Sequence, residues 1–192
     1  MNLIMENWRK FINEDFRKGG MGSEPSDAKN DIISQLSGAL SRAQKSSANQ
    51  FASVILGEKP MYYGIVGADG IDIEDKTLQD MIRSKGLALE VTPHTEMAKP
   101  NVKAYYFGKV ENVKAAVMLS KNPLIGKEEY DYEDSFWKWV HPRFIKVTPE
   151  WNRRLGVLLG YGESNAKEFA RRRDEKLADF YEVWNDYKGE LT

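Results

Sequence analysis

The chain contains no cysteine, and that one absence removes disulfides, thiolate-ligated zinc and a cysteine nucleophile together. Histidine is nearly as scarce, with only two in 192 residues, His94 and His141. A histidine-based triad would need one of them beside a Ser or Thr, and the sequence has no Gly-x-Ser-x-Gly elbow. His94 follows a proline in VTPHTE and His141 sits among aromatics in WKWVHPRF, so a structural role suits both better than a catalytic one. Charge of one sign is also lacking. Twenty-eight Lys and Arg stand against 29 Asp and Glu, a formal net charge of −1, which supplies no strong attraction to nucleic acid or to an anionic membrane. No apolar run approaches the roughly 20 residues of a membrane span, and Leu3-Ile4-Met5 is far too short for the core of a signal peptide.

What is present belongs to a folded protein: 41% apolar, 11% aromatic and 30% charged residues. The periodicity predicts a mixed α+β fold, with a small three-stranded sheet, flanking helices and a helical C-terminal third. Ser26 reads as an N-cap for a helical stretch reaching Leu56. A break is expected in its polar middle, SRAQKSSANQ, and a stop at Gly57 and Pro60. MYYGIVG, GLALEVT and KAYYFGK read as strands. Residues 77–85 read as a short helix closed by Gly86, and ENVKAAVMLSKN as a helix despite its partial alternation. Thr148-Pro149-Glu150 is a helix start and Gly160 a stop. Ser164 is expected to cap a long helix, its inner face carrying Phe169, Leu177, Phe180, Tyr181 and Trp184, with Gly189 closing it.

Several stretches invite a chemical reading and lose it on spacing. ADGIDIEDK gathers Asp69, Asp72, Glu74 and Asp75, but not in the frame of a calcium loop, so it reads as a turn leading into helix-start acids. GIVGADG lacks the glycine and lysine positions that cradle phosphate. RRRDEK looks basic, yet residues 165–188 hold six Lys/Arg and six Asp/Glu; this is a solvated helix face with i,i+4 pairs such as Arg171 with Glu175. The densest constellation is Trp137, Trp139, His141 and Arg143, followed by Asn152, Arg153, Arg154 and Tyr161 in EWNRRLGVLLGYG. Aromatic and arginine density is what protein-binding surfaces use, and an arginine pair also suits phosphate or carboxylate. The competing reading makes the tryptophans core and the arginines solvated. If the arginines form such a site, replacing both is expected to leave stability nearly unchanged.

The first eighteen residues stand apart. Ile4, Trp8, Phe11, Ile12 and Phe16 recur at three- and four-residue steps along one helical face, and Gly19, Gly20, Gly22 and Pro25 then predict a mobile joint. The expected organisation is an amphipathic arm over residues 1–18, a Gly-rich linker over 19–25 and a single α+β domain over 26–192. In WRKFINE the arm resembles the capsid-targeting sequence of internal head proteins of T4-like tailed phages, in which an aromatic precedes Phe-Ile-x-Glu. The resemblance covers about the first sixteen residues, and the few residues ahead of Met5 depart from it. It implies that Trp8, Phe11 and Ile12 direct packaging through the prohead core or scaffold. It also implies that the prohead protease cuts after Glu14, in Ile12-Asn13-Glu14, with a second such triplet ending at Glu6.

The resemblance thus implies a bacteriophage protein made in host cytoplasm, packaged in the virion interior, clipped, and delivered to act on a host protein. No catalytic residue, cofactor or metal is assigned. Two readings from other classes stay open: a small hydrolase or transferase with a cleft near His141 and Arg153, and a cytoplasmic protein-interaction domain whose arm completes its core.

Overall fold

The computed structural model describes residues 26–93, 102–141 and 145–190. Glu6, Trp8, Phe11, Ile12 and Glu14 of the arm, the glycine-rich stretch 19–25, His94 and Arg143 lie outside the described residues. The architecture is α+β, a three-stranded antiparallel sheet with eight α-helices among the described residues. In chain order these are α1 (Asp27–Gln35), α2 (Ser37–Leu40), α3 (Lys45–Ile55), β1 (Met61–Ile65), α4 (Lys76–Ser84), β2 (Leu87–Pro93), β3 (Lys103–Lys109), α5 (Val110–Ser120), α6 (Asp134–Val140), α7 (Pro149–Leu158) and α8 (Glu163–Glu190).

β3 is the central strand, in the order β1-β3-β2. Tyr63 pairs with Tyr106, and Leu89 with Phe107. Successive side chains of a strand point to opposite faces, and here both faces are covered. Tyr105 and Phe107 enter a core with Phe51, Tyr62 and Leu78, built from α1–α4. Tyr106 enters a second core with Met61, Val113 and Trp151, built from α5 and α7. Burial on both sides explains why five consecutive residues of β3 are buried, where a one-sided strand would alternate. A third core joins α6 to the distal half of α8, around Phe136, Trp137, Val140 and Leu177.

Local chemistry sets the boundaries. Ser26 accepts from the Lys29 amide and caps α1, Asp75 accepts from Leu78 and caps α4, and Thr148 accepts from Trp151 with Pro149 following at the first position of α7. Gly57, Gly86 and Gly160 take positive φ just past α3, α4 and α7, the left-handed conformation that ends a helix at little cost for glycine. The expected stretch from Ser26 to Leu56 is broken twice, not once. The additional break falls at Leu36, whose non-helical backbone turns its fully buried side chain into the first core. The long helix begins at Glu163, one residue ahead of the expected cap Ser164, and runs through Gly189 to Glu190; one glycine costs a helix only about 1 kcal/mol and need not stop it.

The acids of ADGIDIEDK do separate duties. Asp75 is the α4 cap, and Asp72 accepts from the Glu74 amide at 3.1 Å. Asp69 is buried, which the sequence did not disclose. Its carboxylate accepts from Tyr105 Oη at 2.5 Å, Tyr62 Oη at 3.2 Å and the Ile71 amide at 3.2 Å. Burial, reinforced by that carboxylate, holds both phenols above their usual pKa range. Gly64 makes room for the arrangement, since a Cβ there would overlap Asp69 and the Tyr105 ring.

Candidate functional site

The arginine pair sits on α7. Its helical spacing puts Arg153 and Arg154 three and four residues after Glu150, within reach of one carboxylate. Arg153 grips Glu150 with two parallel bonds, Nε to Oε2 and Nη2 to Oε1, both 2.7 Å, and donates through Nη1 to Glu163 at 2.5 Å. Arg154 Nε donates to Glu150 Oε1 at 2.5 Å. The Glu150 side chain is only 7% exposed, against 28% for Arg153 and 44% for Arg154. The guanidinium of Arg153 first, and that of Arg154 with it, hold the Glu150 carboxyl below the usual glutamate range against the opposing effect of burial.

A turn from a distant part of the chain covers Glu150. Thr148 Oγ1 donates to the Ile125 carbonyl at 2.6 Å, the Thr148 amide donates to the Pro123 carbonyl at 3.0 Å, and Gly126 packs so closely that a Cβ would overlap the Glu150 stem. Trp151, fully buried, donates through Nε1 to the Leu119 carbonyl at 2.9 Å. Asn112 at the other end of α5 donates to the Leu158 carbonyl at 3.0 Å. These two bonds lay α5 and α7 side by side in opposite directions.

Between them runs an open groove of about 610 Å³. Ala115, Met118 and Leu119 line it from α5, and Val157 and Leu158 from α7. Arg153 and Arg154 border it together with Asn122 and Ile125. Met118 is 65% exposed and Val157 40%. Among the described residues, the terminal nitrogens of Arg154 have no partner.

The other residues singled out from the sequence fall elsewhere. Trp137 is buried in the third core, and Trp139 is half-buried at its edge, 5.4 Å from the Trp184 ring. Asn152 is fully buried and donates back to the Thr148 carbonyl. Asn152 presents no surface, and Trp137 shows only an edge, in the cavity beside His141. Tyr161 lies half-buried beyond α7, with the Lys59 ammonium 5.1 Å from its ring centre. Burial pushes the Lys59 ammonium down to about 8. His141 lines a separate cavity of about 240 Å³ with Lys127, Asp134 and Lys138, and burial, aided by the charge of Lys146, lowers its pKa. Among the described residues, His141 and Arg153 therefore line two different cavities.

Among the described residues no group of His, Asp and Glu is placed to hold a metal ion, and no helix is long and apolar enough to cross a membrane. No family model matches the chain, and neither the curated proteins nor the solved structures give a match.

The sequence flagged the arginines and missed their surroundings. The groove depends on Met118, which an apolar helix pattern marks only as core, and on the packing of α5 against α7. The one signal on α7 itself was Glu150 at helical spacing from both arginines.

Proposed function

We propose that the chain is an internal head protein of the T4-like phage type, carried into the prohead by its N-terminal arm and cut after Glu14. The body is then delivered to the host, where it binds a host protein through the groove between α5 and α7. The observation that carries this reading is the arm itself: Trp8, Phe11 and Ile12-Asn13-Glu14 at helical spacing, followed directly by a glycine-rich stretch. A body whose first helix is capped by its own Ser26 supports it, because that helix then starts without a contribution from the residues ahead of it. The groove supports binding over catalysis. Its centre is exposed and apolar, with arginines at the border, and no histidine is among the described residues that line it.

Mass spectrometry of virions tests the reading. Packaged protein should begin at Asp15, Glu14→Ala should be packaged uncut, and Trp8→Ala with Phe11→Ala should be excluded from heads. Residues 1–22 fused to an unrelated soluble protein should carry it into heads. Absence of the protein from virions would overturn the proposal.

A further inference from the structure

Met118 and Val157 face solvent across two antiparallel helices, which is the arrangement that receives an amphipathic helix with anchors three, four and seven residues apart. We propose that in the full-length chain this groove is occupied by the chain's own arm, residues 4–16, seated through Ile4, Trp8, Phe11 and Ile12.

Three observations select that occupant. The first is where the chain enters the body. Just after Ser26, Lys29 Nζ pairs with Glu58 at 2.7 Å, the adjoining Lys59 lies over Tyr161, and Pro60 packs against Gly160. The start of α1 is thereby tied to the end of α7 where Val157 and Leu158 line the groove. Residues 17–25, fully extended, reach about 30 Å, ample for the arm to return to this face. The second is pattern. The apolar residues at 4, 8, 11, 12 and 16 recur at the spacing of a single stripe that a two-helix groove accepts. The third is charge. Lys114 on α5 and Lys121 at its C-terminal cap flank Met118 in the chain, and Arg154 has terminal nitrogens with no partner among the described residues. The arm brings three carboxylates, Glu6, Glu14 and Asp15, against two cations, Arg9 and Lys10.

The docking does not rest on the packaging reading.

The absence of cysteine makes the test direct. In a full-length Met118→Cys chain the only thiol lies in the groove, and its rate of maleimide labelling reports how often the groove is open. A groove covered nine-tenths of the time labels about tenfold more slowly than an open one. Adding Trp8→Ala and Phe11→Ala should therefore raise the rate about tenfold, while a Val183→Cys chain, labelled on exposed α8, should not respond. Equal labelling rates of the groove thiol with and without the arm anchors would overturn the proposal. A second measurement keeps all but one anchor in place: Met118→Cys is paired in turn with a cysteine at 4, 8, 11 or 12 and oxidised at micromolar concentration. At least one pair should close within a single chain, since a disulfide needs Cα atoms within about 7 Å. No intramolecular bond at any of the four, or disulfide-linked dimers as the main product, would assign the groove to no segment or to a second copy and overturn it. Neither measurement depends on packaging, so failure of the arm to dock and failure of the head-protein reading are read separately.

Discussion

The chain carries the same five-residue pattern twice, Glu150-x-x-Arg153-Arg154 on α7 and Glu168-x-x-Arg171-Arg172 on α8, and the two copies make the same bonds. In each, the first arginine grips the carboxylate through Nε and Nη2, at 2.7 Å each on α7 and at 2.8 and 2.9 Å on α8. The second adds its Nε to the same Oε1, at 2.5 and 3.0 Å. Each first arginine also reaches a further glutamate, Glu163 and Glu175. Their surroundings differ. The Glu150 side chain is 7% exposed beneath the 123–126 turn, whereas Glu168 is 39% exposed on an open helix face. Helical spacing makes the bonds in both places, and only burial makes them consequential. In water an ion pair replaces hydration that was nearly as good. Under a roof the carboxylate has no such substitute, and removing its partners leaves a buried charge uncompensated.

Replacing the two glutamates gives the largest expected contrast. Glu150→Ala should destabilise the protein by about 2 kcal/mol in urea denaturation, below the full cost of breaking a buried pair because both arginines can turn their heads to water. Glu168→Ala should leave the midpoint unmoved within error. Equal losses would mean that the roof over Glu150 contributes nothing. Next in size is the arginine contrast. Arg153→Ala leaves Glu150 half-satisfied and should cost about 1–2 kcal/mol, while Arg171→Ala should be silent. This departs from the sequence-based expectation that the α7 arginines can be replaced at little cost, because that expectation had no buried carboxylate in it.

Acid should sharpen the difference further. The folded-state pKa of Glu150 lies below the ordinary value of 4.5, so its contribution to stability is complete above about pH 4.5. It is lost as pH falls towards the depressed value, because in that window the unfolded chain binds the additional proton. The stability gap between wild type and Glu150→Gln should shrink steadily below pH 4.5. A constant gap would show that the charge of Glu150 is irrelevant to the fold. The smallest effect is that of salt. Raising NaCl from 0.1 to 1 M shortens the screening length from about 10 to 3 Å, so any residual difference between wild type and Glu168→Gln should vanish. The Glu150→Gln difference should persist.

A chain that alternates, caps and stops by short-range rules reveals those rules in one dimension. The patterns of the three strands, the caps at Ser26 and Thr148, the stops at Gly57, Gly86 and Gly160, and the pairing of Arg171 with Glu175 are all written in residues a few positions apart. They were legible for that reason. So was the choice of helix for α5, because Ala115 and Ala116 outweigh the alternation around them. The arm's stripe and its glycine-rich follower are likewise properties of the sequence alone.

Tertiary structure decided whatever depends on what lies above a residue. Asp69 reads like its acidic neighbours, and it is buried because Tyr105, 36 positions away, brings a hydroxyl to it. Glu150 and Glu168 read alike, and they differ because residues 123–126 fold over one, while no comparable turn among the described residues roofs the other. Met118 reads as core and stands in a groove, since α7 packs beside it and not over it. Local geometry is written in the chain by spacing, whereas desolvation belongs to contacts between distant segments and arises only when the chain has closed on itself.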